Sequence, residues 1–410
     1  MDFRRKKEEE SASAPKGSSA AISEALFQGT KCIFEKISHL AKASEMENEI
    51  RRNMDEWKTC TIKIAISGSS GTGKSSFINA FRGLQDYDTD AAPVGTNETT
   101  MDPTVHRHPG YPNIELWDLP GVGTPTFPKE TYLRKINVDT YDFFLLMTCT
   151  RFYDDDRWLA KEIISRKKRC YFLRTKIDDD IRNGKRSKKD FNTAEWLEDN
   201  KRKSLKDLYD GGVSNPVVFL ISSAWPMQYD FVALQQQLID DSPALKREAV
   251  VLSLTAISEK MLKGKLEVLK SRIGKHSTLA VLGSLVPIPI VGWKVNYAVM
   301  KNAVELYREQ FGIDDKSLMK VAHQKCVSLE KLKQDLCLES DKIFRSQGDF
   351  FNFCEEAYDQ ALVGTFAKAI PIVGSIISAV KTAPAAAAIQ NKLLDLCYKE
   401  ACRAFQYQSE

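Results

Sequence analysis

One octapeptide constrains this chain more than any other feature: Gly68-Ser-Ser-Gly-Thr-Gly-Lys-Ser75, set directly behind the nearly continuous apolar run Thr59–Ser67 and directly ahead of the string FINAF. A GxxxxGK[ST] pattern between a buried strand and the start of a helix is a phosphate-binding loop. Its glycines let main-chain N–H groups turn inward, and the helix N-terminus adds a partial positive charge. On this reading Gly71, Thr72 and Gly73 line the phosphates, Lys74 reaches the β- and γ-phosphates, and the Ser75 hydroxyl takes a magnesium ion.

The surroundings of the loop extend the same architecture. Apolar, β-branched runs recur at IELWDL, YDFFLLMTCT, CYFLRTK and PVVFLIS, separated by segments of helical character such as DDRWLAKEIISRKK and AEWLEDNKRKSLKDLYD. Strand alternating with helix predicts an α/β unit of the Ras-like P-loop type: a mostly parallel sheet with helices on both faces and ligands at the carboxyl ends of its strands. Residues 58–241 form this nucleotide-binding domain. Beyond Asp241 the strand signals cease, and residues 242–410 read as helices, beginning with a continuous one at AVVLSLTAISEKMLKGKLEVLKSRI. Apolar residues at helical spacing in 20–57 (Ile22, Leu26, Ile33, Ile37, Leu40) predict a helical segment there too, preceded by a flexible tail over 1–19. The expected whole is a nucleotide domain combined with an all-helical domain built from N- and C-terminal segments.

Three further motifs follow the loop in the order the chemistry needs. Asp118-Leu-Pro-Gly121 closes the strand IELW, where a DxxG element puts a carboxylate near the magnesium, through water, and a glycine N–H near the γ-phosphate. Between it and the loop lies the polar, threonine-rich Pro93–Met101, a switch segment in which Thr100, or second Thr99, offers a hydroxyl to the metal while the γ-phosphate is present. Thr175-Lys-Ile-Asp178 ends the strand CYFLR. An aspartate at this place accepts two hydrogen bonds from guanine N1 and N2 while the Lys176 stem packs along the base, and adenine lacks that donor pair. Ser222 and Ser223, closing PVVFLI, fall where a main-chain N–H meets guanine O6. The expected ligands are therefore GTP or GDP with Mg2+. A Ras-like enzyme carries a water-orienting glutamine directly after the DxxG glycine, but Val122 stands there. Slow hydrolysis, or help from another group or a second molecule, is the implied alternative.

Composition excludes other classes. Lys and Arg number 59 against 55 Asp and Glu, and a net charge of +4 over 410 residues gives no footprint for nucleic acid. Nine cysteines, without CxxC pairs or histidines at metal spacing, read as reduced thiols of a cytoplasmic protein. The charged, Ser/Ala-rich start has no signal-peptide pattern, and Asp2 stands where N-myristoylation needs glycine. Two apolar stretches, Thr278–Trp293 and Ala361–Val380, share the string PIVG and are each interrupted by Pro and Gly. They read either as a hairpin buried in the helical core or as segments that insert into a membrane or dock on its surface.

The strings GSSGTGKSSFINAF, NETTMDP, WDLPGVGTPTFPKETYL, YDFFLLM, CTRFYDDD, FLRTKID and FLISS together resemble the immunity-related (interferon-inducible) GTPases, from about Ser23 to the C-terminus. Members with a lysine in the loop, as here, are dynamin-like GTPases of cell-autonomous defence that self-assemble when GTP-loaded. The resemblance implies that Ser76 joins Gly71, Gly73, Lys74 and Ser75 on the phosphates and that Val94 and Gly95 lie near the nucleotide. It puts Thr100 in the first switch and makes Glu98 a residue of nucleotide-linked contact across a dimer and of activation, so that Lys74, Glu98 and Thr100 form the catalytic set. It further implies a GTP-dependent homodimer or oligomer, contact with related GTPases, and a cytoplasmic protein peripherally associated with endoplasmic reticulum, Golgi or vacuolar membranes. The competing expectation is a non-hydrolysing, nucleotide-gated scaffold or regulator of related GTPases.

Overall fold

The computed structural model describes residues 55–95, 102–122, 127–256, 258–284, 289–346, 348–350, 352–354, 356 and 383–409. Glu98, Thr99 and Thr100, the tail expected over 1–19, the helical segment expected over 20–57 as far as residue 54, and the stretch 361–380 lie outside them. Of the stretch 278–293 the structure describes helical backbone at 278–284 and 289–293.

The described strands form one six-stranded sheet: β1 (Ile62–Ser67), β2 (Thr104–Arg107), β3 (Ile114–Asp118), β4 (Phe143–Thr148), β5 (Arg169–Arg174) and β6 (Val218–Leu220), in the order β2-β3-β1-β4-β5-β6. Every pairing is parallel except that of β2 with β3. The antiparallel edge strand β2 is absent from the sequence-based expectation. Its four residues are exposed or half-buried, so no apolar run announces it.

Because side chains alternate across a strand, each strand feeds two cores. Ile62, Ile64 and Ile66 of β1, with Phe143, Leu145 and Met147 of β4, belong to one buried cluster. Ala65, Phe144, Leu146 and Phe172 belong to the other. The second cluster is closed by α2 (Lys129–Lys135), α3 (Asp154–Ser165), α4 (Ile177–Ser187) and α5 (Thr193–Asp210), through Tyr132, Leu159, Ile163, Ile181 and Leu208. The first is covered by α1 (Lys74–Phe81), α6 (Phe231–Asp240) and α7 (Ala244–Ser253), and it continues without interruption into the C-terminal helices.

Those helices are α8 (Glu259–Ser284), α9 (Pro289–Phe311), α10 (Asp315–Gln324), α11 (Leu329–Asp335) and α12 (Ala383–Ser409). The single helix expected over 249–273 is two: α7 stops when Leu254 turns extended (φ −83°, ψ 141°), and α8 begins just beyond Ser258, whose hydroxyl accepts from Met261 N at 3.2 Å. Glu400 of α12, fully buried, accepts from the main-chain N–H groups of Glu339 and Ser340 at 2.6 and 2.9 Å and from the Ser340 hydroxyl at 2.5 Å. A buried carboxylate met by three donors fixes the segment after α11 against α12. No helix among the described residues is long and apolar enough to cross a membrane.

Candidate functional site

Parallel pairing puts the carboxyl ends of β1, β3, β4, β5 and β6 on one edge of the sheet, so the motifs that follow β1, β3, β5 and β6 converge there. The loop Gly68–Gly73 leaves β1 and enters α1 at Lys74. Gly71 (φ +76°) and Gly73 (φ +85°) take the left-handed conformation that glycine adopts at no steric cost. Lys74 Nζ folds back over the loop, donating to the carbonyls of Gly68 at 2.8 Å and Ser69 at 3.4 Å. The Thr72 hydroxyl donates to Ser69 O at 2.8 Å, closing the loop on itself. Ser76 turns its hydroxyl to Asp86 at 3.1 Å. Its main-chain N–H, in the first turn of α1, stays aimed toward the loop side, as the leading N–H groups of any helix are.

A brace from elsewhere holds this loop. Thr175, 1% exposed, directs its hydroxyl to Thr72 O at 2.7 Å and Thr148 O at 3.1 Å, and its N–H donates to Thr148 O at 2.8 Å. The first residue of the guanine motif therefore holds the phosphate loop, while Lys176 and Asp178 are displayed beyond it. Lys176 sits in the left-handed region (φ +58°), a conformation that costs a non-glycine residue energy and that clusters at functional sites. Its stem lies beside Gly73: the Lys176 Cε is 3.9 Å from where a Cβ on that glycine would be. Asp178 is in the first turn of α4, with the Arg182 guanidinium 3.6 Å away. Ile177 N donates to Ile221 O at 3.4 Å and Ile221 N to Arg174 O at 2.9 Å, so Ser222 and Ser223 stand next to the start of α4. Ser222 is fully buried, its hydroxyl accepting from Trp225 N at 3.3 Å, and Ser223 is half-exposed.

Asp118, 6% exposed, ends β3, and Leu119 N donates to Ile66 O at 2.8 Å, which holds Asp118-Leu-Pro-Gly121 beside the base of the phosphate loop. The Ser75 hydroxyl and the Asp118 carboxylate are hard oxygen donors on the two motifs that flank the γ-phosphate position, a donor set that suits Mg2+. Val122 is half-buried and packs against the second core cluster. Val94 is 53% exposed and Gly95 ends the described part of the first switch; Glu98, Thr99 and Thr100 follow outside it.

Two residues of this site escaped the sequence reading. Asn79, fully buried in α1, donates to Asp86 at 2.8 Å and to Ala92 O at 3.0 Å and accepts from Ala92 N at 2.6 Å, pinning the lead-in to the first switch. Tyr132, fully buried, donates to Pro120 O at 2.7 Å. Burial pushes its phenol well above the ordinary range, so it remains a donor at any physiological pH. The only sequence signal for either was its place in the strings FINAF and PKETYL.

The family model for the interferon-inducible GTPases (IIGP) matches residues 31–406. The chain belongs to the interferon-inducible GTPase family. Among its relatives, T-cell-specific guanine nucleotide triphosphate-binding protein 2 of Mus musculus is 35% identical over 370 residues, covering 88% of this chain and 85% of that protein. Interferon-inducible GTPase 1 of Mus musculus is 32% identical over 325 residues (77% and 78%), and Interferon-inducible GTPase 5 of Bos taurus 37% over 267 residues (65% and 57%). The protein is thus a GTPase, and guanine nucleotide is its substrate. In an interferon-inducible GTPase the loop after β1, the DxxG after β3 and the TKxD after β5 have a common purpose.

Proposed function

We propose that GTP loading drives this GTPase into a homodimer or larger assembly, at or near intracellular membranes, in innate cell-autonomous defence, with the hydrolytic machinery completed across that contact. The observation that carries the reading is Val122: the position that would orient the attacking water holds an aliphatic side chain packed on the core. A water-positioning group must then come from the first switch, with Glu98 the candidate, or from a second copy.

The chemistry assigned to this chain's own residues is positional and electrostatic. Water attacks the γ-phosphorus in line, the bond to the β,γ-bridging oxygen breaks, and GDP leaves with that electron pair. Lys74 and the N–H groups of Gly71–Ser76 offset the negative charge that moves onto the β-phosphate, and the Gly121 N–H meets the γ-phosphate. Asp178 and the lysine stem of residue 176 select guanine, and the main chain at Ser222–Ser223 receives O6. Ser75, Thr100 and, through water, Asp118 would hold magnesium, which would supply neutralisation of the phosphate charge when bound.

The test is GTP turnover per molecule across a range of protein concentrations, with Glu98→Ala beside the parent. Specific activity that rises with concentration, and a variant that loses the rise, supports the assembly reading. Flat, negligible turnover overturns it in favour of a nucleotide-gated scaffold. Sedimentation with phospholipid vesicles in GTP and in GDP examines the membrane part separately, and no pelleting in either state removes it.

A further inference from the structure

The helix α2 carries none of the nucleotide motifs, yet Tyr132 from its middle reaches between two of them. Its ring is fully buried in the second core cluster, edge-on to Phe127 with ring centres 6.3 Å apart. A phenylalanine would fill that space as well. What tyrosine adds is the hydroxyl, which donates to Pro120 O at 2.7 Å, inside Asp118–Gly121, and lies 3.3 Å from the hydroxyl of Ser67, the last residue before the phosphate loop. The phenol therefore ties the residue immediately before Gly121 to the root of the loop that begins at Gly68. A buried hydroxyl needs a partner, and here the partner is the peptide whose other end is the Gly121 N–H.

We propose that Tyr132 is a positioning residue for GTP hydrolysis: through Pro120 it holds the Gly121 N–H where the γ-phosphate must meet it, and it sets the spacing between the DxxG turn and the phosphate loop. This rests on the assignment of Gly68–Ser75 and Asp118–Gly121 to the phosphates. GDP has no γ-phosphate, so the contact that Tyr132 positions is made by GTP alone. Its loss must act on GTP affinity and turnover and leave GDP affinity in place.

Tyr132→Phe keeps the ring and removes the hydroxyl. Fluorescent GDP and a non-hydrolysable GTP analogue are titrated into the parent, Tyr132→Phe and Lys74→Ala, and kcat is measured at saturating GTP. The expected result is a fall of about tenfold in kcat and in the GTP-analogue to GDP affinity ratio, the size of losing one buried hydrogen bond, with GDP affinity within about twofold of the parent. An unchanged ratio and kcat overturns the proposal, as does an equal loss of GDP and GTP-analogue affinity, which a merely structural role would give. If Lys74→Ala binds both nucleotides as the parent does, the site assignment fails, and that outcome is distinct from either. Should Tyr132→Phe not fold, Ser67→Ala removes the hydroxyl's other neighbour: a shift of the ratio in the same direction supports the proposal and an unchanged ratio overturns it.

Discussion

A Cβ on Gly68 would lie 2.3 Å from the carbonyl oxygen of Met147 in β4, so this glycine is required by contact with another strand. Gly71 is required for a different reason: nothing lies within 4 Å of its missing Cβ, but its φ of +76° is left-handed. The two cases predict different costs. Gly68→Ala must displace either the loop or the end of β4, and displacements of that size cost about a hundredfold at a positioned site. Gly71→Ala meets only the left-handed penalty of about 1–2 kcal/mol, roughly tenfold. Titration with fluorescent GDP measures both, and equal losses would show that the Met147 contact is not the constraint. The glycine pattern was legible in the sequence because main-chain geometry around phosphates admits few alternatives. The brace from Thr175 to Thr72 was not, since its partners stand 103 residues apart and a threonine in TKxD looks the same whether it faces base or loop.

At the scale of elements, the strands with long apolar runs were readable and those with mixed burial were not. β1, β3, β4, β5 and β6 are buried along most of their length, whereas β2 shows an edge strand's exposed and half-buried pattern. The break between α7 and α8 was invisible for a related reason: Leu252 and Leu254 are both buried, so apolar periodicity runs on through a backbone that has turned extended. Connections are also held by single side chains. Asn79 makes three hydrogen bonds that fasten α1 to Asp86 and Ala92, and thereby the entry to the first switch. Asn79→Ala leaves the Ala92 groups unmet in the core and is expected to lower the unfolding free energy by about 2–3 kcal/mol. Asn79→Asp keeps the acceptor for Ala92 N but sets a carboxylate against Asp86, and is expected to cost more at pH 7 than at pH 4, where protonation restores a donor. Urea unfolding at the two pH values separates these cases, and an alanine variant as stable as the parent would remove Asn79 from the account.

For the whole molecule, the decisive fact is that one core cluster runs from the sheet into the C-terminal helices, with Lys265 at the junction. This lysine is 1% exposed; Nζ donates to Leu252 O of α7 at 2.9 Å and to Gln310 Oε1 of α9 at 3.0 Å, and it lies 5.6 Å from the ring of Tyr111 in the β2–β3 turn. His108 stacks on that ring at 5.0 Å and accepts from Gly110 N and Tyr111 N through Nδ1. Burial is the main cause that pushes Lys265 down to about 7, with Glu309 opposing, and His108 down to about 4, with Lys265 adding repulsion. The unfolded chain keeps Lys265 protonated up to an ordinary lysine pKa of about 10.4. Between pH 7 and that value the unfolded state binds more protons than the folded one, so the lysine's contribution raises stability with pH; below pH 7 both states are charged and the burial cost is present in full. From pH 7 to pH 9 the contribution amounts to about 2–3 kcal/mol. Lys265→Met preserves most of the volume and removes the titration. Urea unfolding of parent and variant at both pH values is expected to show the parent gaining that amount relative to the variant, and the two changing in parallel would mean that the amine is not held in the neutral form at this junction. The amine that titrates here ties α8 to α7 and α9 behind the β2–β3 turn, and the strand β2 that leads out of the first switch ends one residue before His108.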